Sequence, residues 1–285
     1  MLLPLLLSLL LCTACRAPVE LPGPSVQQYA AEGGVTVMDV RFPVPAIGSL
    51  LWYRAVLPSA APGERLPVLY LLHGAQSNPA ELEQRAAVIK LAAAERLIVI
   101  MPEGRNSYYT NARFRRRARW EDAMTQDLLR DVESRFAVLP GREHRGIAGL
   151  SMGGYGAVKL ALKHPELYGF AGSMSGAFDV TRRPASLKRW EQTLRLWRIF
   201  GARQSRREDE DIFALLARTQ GLQSVAWFQS CGMRDPLYPV NARFTREMHA
   251  RSVPFDAVTT PGFHDWLTWE TTMPQLFKSA GESLR

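Results

Sequence analysis

The stretch Arg145 to Ala157, RGIAGLSMGGYGA, constrains this chain more than any other. It sets one serine among five glycines, between a run that reads as a buried strand, HRGIAGL, and one that reads as a helix, GYGAVKLALKH, which stops at Pro165. Gly149-Leu150-Ser151-Met152-Gly153 spells G-x-S-x-G. That pattern is weak alone and informative at a strand-to-helix junction. A strand that turns abruptly into a helix forces its corner residue into a strained backbone conformation. Side chains at Gly149 and Gly153 would collide with the neighbouring strand and helix, and glycine removes the collision. The hydroxyl then projects from the sheet's edge, beside helix-terminal N–H groups that favour developing negative charge.

Strand-like runs elsewhere alternate with helical patterns, which predicts an α/β fold with a mostly parallel sheet and helices on both faces. GVTVMDVRF and SLLWYRAVLP read as an antiparallel opening pair. LPVLYLLHG (Leu66 to Gly74) is continuously apolar, as a strand buried on both faces requires. RLIVIMPEG, the serine strand, GFAGSMSG, SVAWFQSCG and FDAVTTPG complete eight runs. Asn78 can cap a helix that Pro79 starts. In DAMTQDLLRDVESRF, Met124, Leu128, Leu129, Val132 and Phe136 fall at helical spacing. Residues 182–219 are charged, helix-prone and irregular, and read as an insertion near the sheet's carboxyl edge within one domain over 31–285.

The opening MLLPLLLSLLLCTAC is too short to span a bilayer as a typical helix and reads as an export signal over residues 1–14. Its CTAC resembles a bacterial lipoprotein signal, which would lipidate Cys15 and anchor the chain to a membrane. Cys12 stands where leucine is usual, and no Lys or Arg precedes the apolar run. Residues 15–30, with Pro18, Pro22 and Pro24, then read as a tether. The expected location is outside the cytoplasm. Cys231 is left without an intramolecular partner, and three cysteines fit neither a zinc site nor a disulfide framework. Net charge is +8, from 35 Lys and Arg against 27 Asp and Glu, yet no nucleic-acid-binding signature is present. One dense run, RFRRRAR (Arg113 to Arg119), reads either as a solvated loop or as a rim attracting an anionic substrate or membrane.

A serine hydroxyl needs a base to act as a nucleophile at neutral pH. Five histidines are available. His144 precedes the serine strand at its far end, His164 ends a helix, and His249 reads as a surface residue. His73, in LLHGAQ, lies near the site and suits a structural role in holding its loop. His264, in PGFHDWLTW just after the last strand, is the expected base. Its orienting carboxylate is expected to be Asp235 in CGMRDPLY, with Asp179 as the rival; Asp265 adjoins His264 too closely in sequence. For the oxyanion the expected donors are the N–H of Met152 and that of Ala75 in the loop after LLHG. No metal or cofactor is required.

Together LYLLHG, GRNSYYTN, GLSMGGYGA, HPELYGFAGSMSG, CGMRDPLY and GFHDWLTW resemble the esterase D family of α/β-hydrolases, from about Gly34 to Leu276. That family includes S-formylglutathione hydrolases, tributyrin-type carboxylesterases, feruloyl and acetyl-xylan esterases, and mycolyltransferases. The resemblance implies an eight-stranded sheet and an acyl-serine mechanism, and is greatest to the tributyrin-type carboxylesterases. Within it Tyr108 and Tyr109 would lie near the acyl pocket or else pack an ordered loop. The expectation is a serine carboxylesterase acting on short acyl esters. Acyl transfer to an alcohol or sugar, feruloyl or acetyl-xylan ester hydrolysis, and a non-catalytic binding role are the alternatives.

Overall fold

The computed structural model describes residues 23–30, 34–185, 188, 190–201 and 208–285. The opening apolar run, with Cys12 and Cys15, lies outside them. Among the described residues no helix is long and apolar enough to cross a membrane.

The strands are β1 (Ser25–Ala30), β2 (Thr36–Val44), β3 (Ser49–Leu57), β4 (Val68–Leu72), β5 (Ile98–Pro102), β6 (Arg145–Leu150), β7 (Phe170–Met174), β8 (Ala226–Gly232) and β9 (Phe255–Thr260). They form one sheet in the order β1-β2-β3-β5-β4-β6-β7-β8-β9. Pairing is antiparallel from β1 through β3 to β5. From β5 across to β9 it is parallel. This is the α/β-hydrolase fold.

Parallel strands need crossover helices, and those helices bury both faces of the sheet. In β4 the alternation is visible residue by residue. Val68, Tyr70 and Leu72 enter one core with Tyr155 and Val158 of α5 (Met152–Lys163). Leu69 and Leu71 enter the other with Met273, Leu276 and Phe277 of α9 (Trp266–Leu284). The remaining helices are α1 (Pro79–Arg85), α2 (Val88–Glu95), α3 (Trp120–Asp122), α4 (Leu128–Arg135), α6 (Trp190–Phe200), α7 (Ile212–Arg218) and α8 (Tyr238–Ala250), with a π-helical turn at Ala123–Asp127 joining α3 to α4. Asn78 caps α1 as expected, accepting from the N–H of Ala80 and Glu81, both at 3.0 Å.

Two expectations need correction. The sheet has nine strands among the described residues rather than eight, because Ser25–Ala30, read as tether, pairs with β2. This edge strand leaves Val26 and Tyr29 exposed, so no buried alternation marked it. The segment read as an insertion ends in a core helix: α7 buries Ile212, Phe213, Leu215 and Leu216. Asp211 starts it by accepting from the N–H of Phe213 and Ala214 and pairs with Arg182 at 2.6 Å.

Candidate active site

Ser151 joins β6 to α5 with φ 55° and ψ −111°, a left-handed φ that side-chain-bearing residues rarely adopt. Local packing holds it there. The Ser151 N–H donates to Met174 O at 2.8 Å, and Ser151 O accepts from Tyr155 N at 3.0 Å and from Ala177 N at 3.1 Å. The glycines are required by contact. A Cβ on Gly149 would lie 2.7 Å from Leu72 O, and one on Gly153 would lie 2.8 Å from His73 O.

The base and acid arrive on adjacent strand ends. Past β8 and β9 the ladder continues, with Met233 N donating to Thr260 O at 2.7 Å and Arg234 N to Gly262 O at 3.0 Å. This stitching sets Asp235 beside His264. His264 Nδ1 lies 2.8 Å from Asp235 Oδ2, and His264 Nε2 lies 3.0 Å from Ser151 Oγ. The structure therefore brings together the three side chains singled out in the sequence. Asp235 is buried. Burial alone pushes its carboxyl up, but hydrogen bonds from His264, Ser175 and the Leu237 N–H outweigh it and hold the group below the ordinary aspartate value.

Asp179 pairs with Arg183 at 2.8 Å, and Asp265 caps α9 through the Thr268 N–H at 3.0 Å. The other histidines have structural partners. His73 is fully buried, with Nδ1 2.7 Å from Gly74 O and Nε2 accepting from Gly104 N at 2.9 Å. His144 Nδ1 lies 2.8 Å from Leu284 O, His164 Nε2 lies 3.0 Å from Glu121, and exposed His249 packs edge-on against Phe255.

The Met152 N–H belongs to the first turn of α5, where no intrahelical acceptor exists. Ala75 follows Gly74, where an added Cβ would sit 3.7 Å from Ser151 Cβ. The loop is braced by Gln76 N donating to Asn106 Oδ1 at 2.8 Å. Tyr109, expected near the acyl pocket, is corrected to the packing role. It is fully buried, packs against Gly104 and Gly156, and donates to His73 O at 3.0 Å, leaving no surface for a ligand. Tyr108 packs edge-on between Tyr155 and Phe200.

Sequence reasoning missed Ser175 and Trp269. The Trp269 ring meets the His264 ring edge-on at 5.1 Å, and its Nε1 donates to Ser175 Oγ at 3.1 Å. Trp269 sits five residues past His264, in the first turn of α9 and within the quoted HDWLTW, so its nearness in sequence was the available signal. Ser175, on a different strand end, had none. Cys231 is free and buried; burial first, then the nearby Asp235 charge, pushes its thiol up to about 12. Among the described residues no group of three His, Cys, Asp or Glu converges to hold a metal. A cavity of about 410 Å³ lies beside the acid's loop, lined in part by Leu196, Pro236 and Leu237.

Known proteins resemble this chain in sequence or in fold. An acetyl esterase of Caldicellulosiruptor saccharolyticus is 25% identical over 260 residues, covering 86% of this chain and 97% of that protein. A fluorophosphonate-binding serine hydrolase of Staphylococcus aureus superposes with a TM-score of 0.77 at 24% identity, over 87% of this chain and 99% of that one. An S-formylglutathione hydrolase of Agrobacterium tumefaciens does so with a TM-score of 0.79 at 18% identity, over 93% and 100%. These two structures share the fold. The esterase family model matches residues 46–279, and with that match across most of its length the chain belongs to the esterase family.

Proposed function

We propose that this chain is an exported serine carboxylesterase that hydrolyses short-chain acyl esters through an acyl-serine intermediate. The observation that carries the reading is the line of contacts from Asp235 Oδ2 through both ring nitrogens of His264 to Ser151 Oγ, at 2.8 and 3.0 Å. Ser151 Oγ attacks the carbonyl carbon while His264 Nε2 takes its proton. Asp235 holds the Nδ1–H tautomer and stabilises the imidazolium. The N–H groups of Met152 and Ala75 donate to the oxyanion. Collapse breaks the bond to the alcohol oxygen, which receives the proton from His264. Water, deprotonated by the same ring, then attacks the acyl-serine and releases the acid.

Short acyl groups are favoured by the full-length likeness to an acetyl esterase. Export rests on the apolar run before Cys15, and mass spectrometry of the mature N-terminus tests both cleavage and lipidation of Cys15. The decisive experiment is Ser151→Ala assayed on p-nitrophenyl acetate and butyrate. Hydrolysis is expected to vanish while the circular dichroism spectrum is unchanged; undiminished turnover rules the reading out. Hydrolysis should also rise from acid to neutral pH, because only neutral imidazole accepts the serine proton. A flat profile counts against His264 as the base.

A further inference from the structure

The basic run absorbed no part of the mechanism, and the structure gives it a shape. Its ends are tied, with Ala112 N donating to Ala118 O at 2.8 Å and Arg113 N to Ile199 O at 2.9 Å. Between it and α6 opens a cavity of about 640 Å³, a size usual for small-molecule sites. Arg105, Arg115, Arg116, Arg117, Arg195 and Arg198 line it, and no carboxylate does. Its apolar lining includes Ile47, Trp120 and Ile199.

Nearby acids are already engaged. Glu103 accepts from the Arg105 N–H at 2.5 Å and lies within reach of that residue's charge, Asp122 pairs with Arg119, and Glu121 pairs with Lys159 and Lys163. Among the described residues no carboxylate forms an ion pair with Arg115, Arg116, Arg117, Arg195 or Arg198. Most of these guanidinium groups are exposed, so solvent weakens their mutual repulsion, and an anion held among them would relieve what remains. The Arg105 guanidinium lies over the Trp120 ring, 5.8 Å from its centroid, which restricts its freedom before any ligand arrives.

The cavity opens on the same sheet edge as the nucleophile. Arg105, Asn106 and Ser107 follow β5, and Ser151 follows β6, with β4 between them. Two strand spacings separate those ends by about 10 Å. Asn106 also binds the Gln76 N–H, one residue past the expected oxyanion donor Ala75.

We propose that this arginine-lined cavity binds a phosphate-class oxyanion carried by the alcohol part of the ester. The proposal rests on the esterase reading and extends it to the substrate's charge. Guanidinium forks match phosphate oxygens in pairs, and the apolar lining accommodates the spacer.

The test compares kcat/KM for 6-acetoxyhexyl phosphate and 6-acetoxyhexan-1-ol, in the whole protein and in the triple variant Arg115→Gln, Arg117→Gln, Arg198→Gln. The expected wild-type preference for the phosphate ester is tenfold or more, weakening with added salt and falling to near one in the variant. Matching urea midpoints show that the variant folds. A wild-type ratio at or below one, or a preference that survives in the variant, overturns the proposal. Loss of salt-sensitive binding to phosphatidylglycerol vesicles in the variant, with no preference between the soluble esters, also overturns it by assigning the arginines to a lipid surface. If neither ester is hydrolysed, the esterase reading fails separately. Calorimetry with hexyl phosphate then decides the cavity alone: binding lost in the variant supports it, and no binding to the wild-type protein sinks it.

Discussion

At the residue scale, the chemistry depends on how each member of the Asp235–His264–Ser151 line is braced by its neighbours. Asp235 is ionised below the usual aspartate range because its donors outweigh its burial. Replacing it with Asn removes the charge that favours imidazolium and permits the wrong tautomer. Asp235→Asn should lower kcat by roughly 10⁴-fold with the fold retained, measured by ester turnover beside circular dichroism. Ser175 serves as a positioning residue: its hydroxyl favours the charged form of Asp235 and accepts from Trp269. Ser175→Ala should reduce kcat about tenfold, as loss of one polar interaction with a charged group implies. KM should change little and the acid limb of the pH profile should move to higher pH. An unmoved profile would leave Ser175 with a packing role only.

At the element scale, the junction between β6 and α5 is a close approach of backbones. The chain passes β4 so tightly that Gly149 and Gly153 have no room for a methyl group. The obstacle is main chain, which cannot rotate aside as a flexible side chain would. Gly149→Ala is therefore expected to destabilise by about 1–3 kcal/mol, read as a lower urea midpoint. It should also displace Ser151 from His264 and reduce turnover in the protein that remains folded. Unaltered stability would mean that β4 can shift to make space.

Across the whole molecule, one buried ionic cluster ties α5 to the segments around it. Lys159 is fully buried, 3.0 Å from Glu121 and 3.2 Å from Glu210, and Lys163 lies 2.8 Å from Glu121. Burial alone pushes the Glu121 carboxyl up, but Lys159, His164 and Lys163 outweigh it and hold the group far below the ordinary glutamate value. A carboxyl depressed in the folded state stabilises fully above its unfolded pKa, about 4.5. That contribution is lost as the pH falls from there toward the folded value. The melting temperature should accordingly drop on acidification below about pH 4.5, and less so in Glu121→Gln. At neutral pH Glu121→Gln should cost about 3 kcal/mol, because it leaves Lys159 buried with Glu210 as its remaining carboxylate. Parallel acid transitions in the two proteins would refute this role for Glu121.

By itself the sequence determined what depends on local pattern: the buried strands, the helix cap at Asn78, the glycine corner at Ser151, and the candidate acid and base, each placed just after a strand. Period, turn chemistry and strand order carry that information along the chain. It did not mark β1, whose apolar side chains stay in solvent, or separate α7 from the charged segment around it. Only the tertiary structure decided that Tyr109 is a packing residue, that Ser175 and Trp269 brace the site, and that arginines from the β5 loop, the basic run and α6 share one cavity. Those relations join residues from separate segments, and their distances are set by how strands register and helices pack. No pattern within a single segment encodes them.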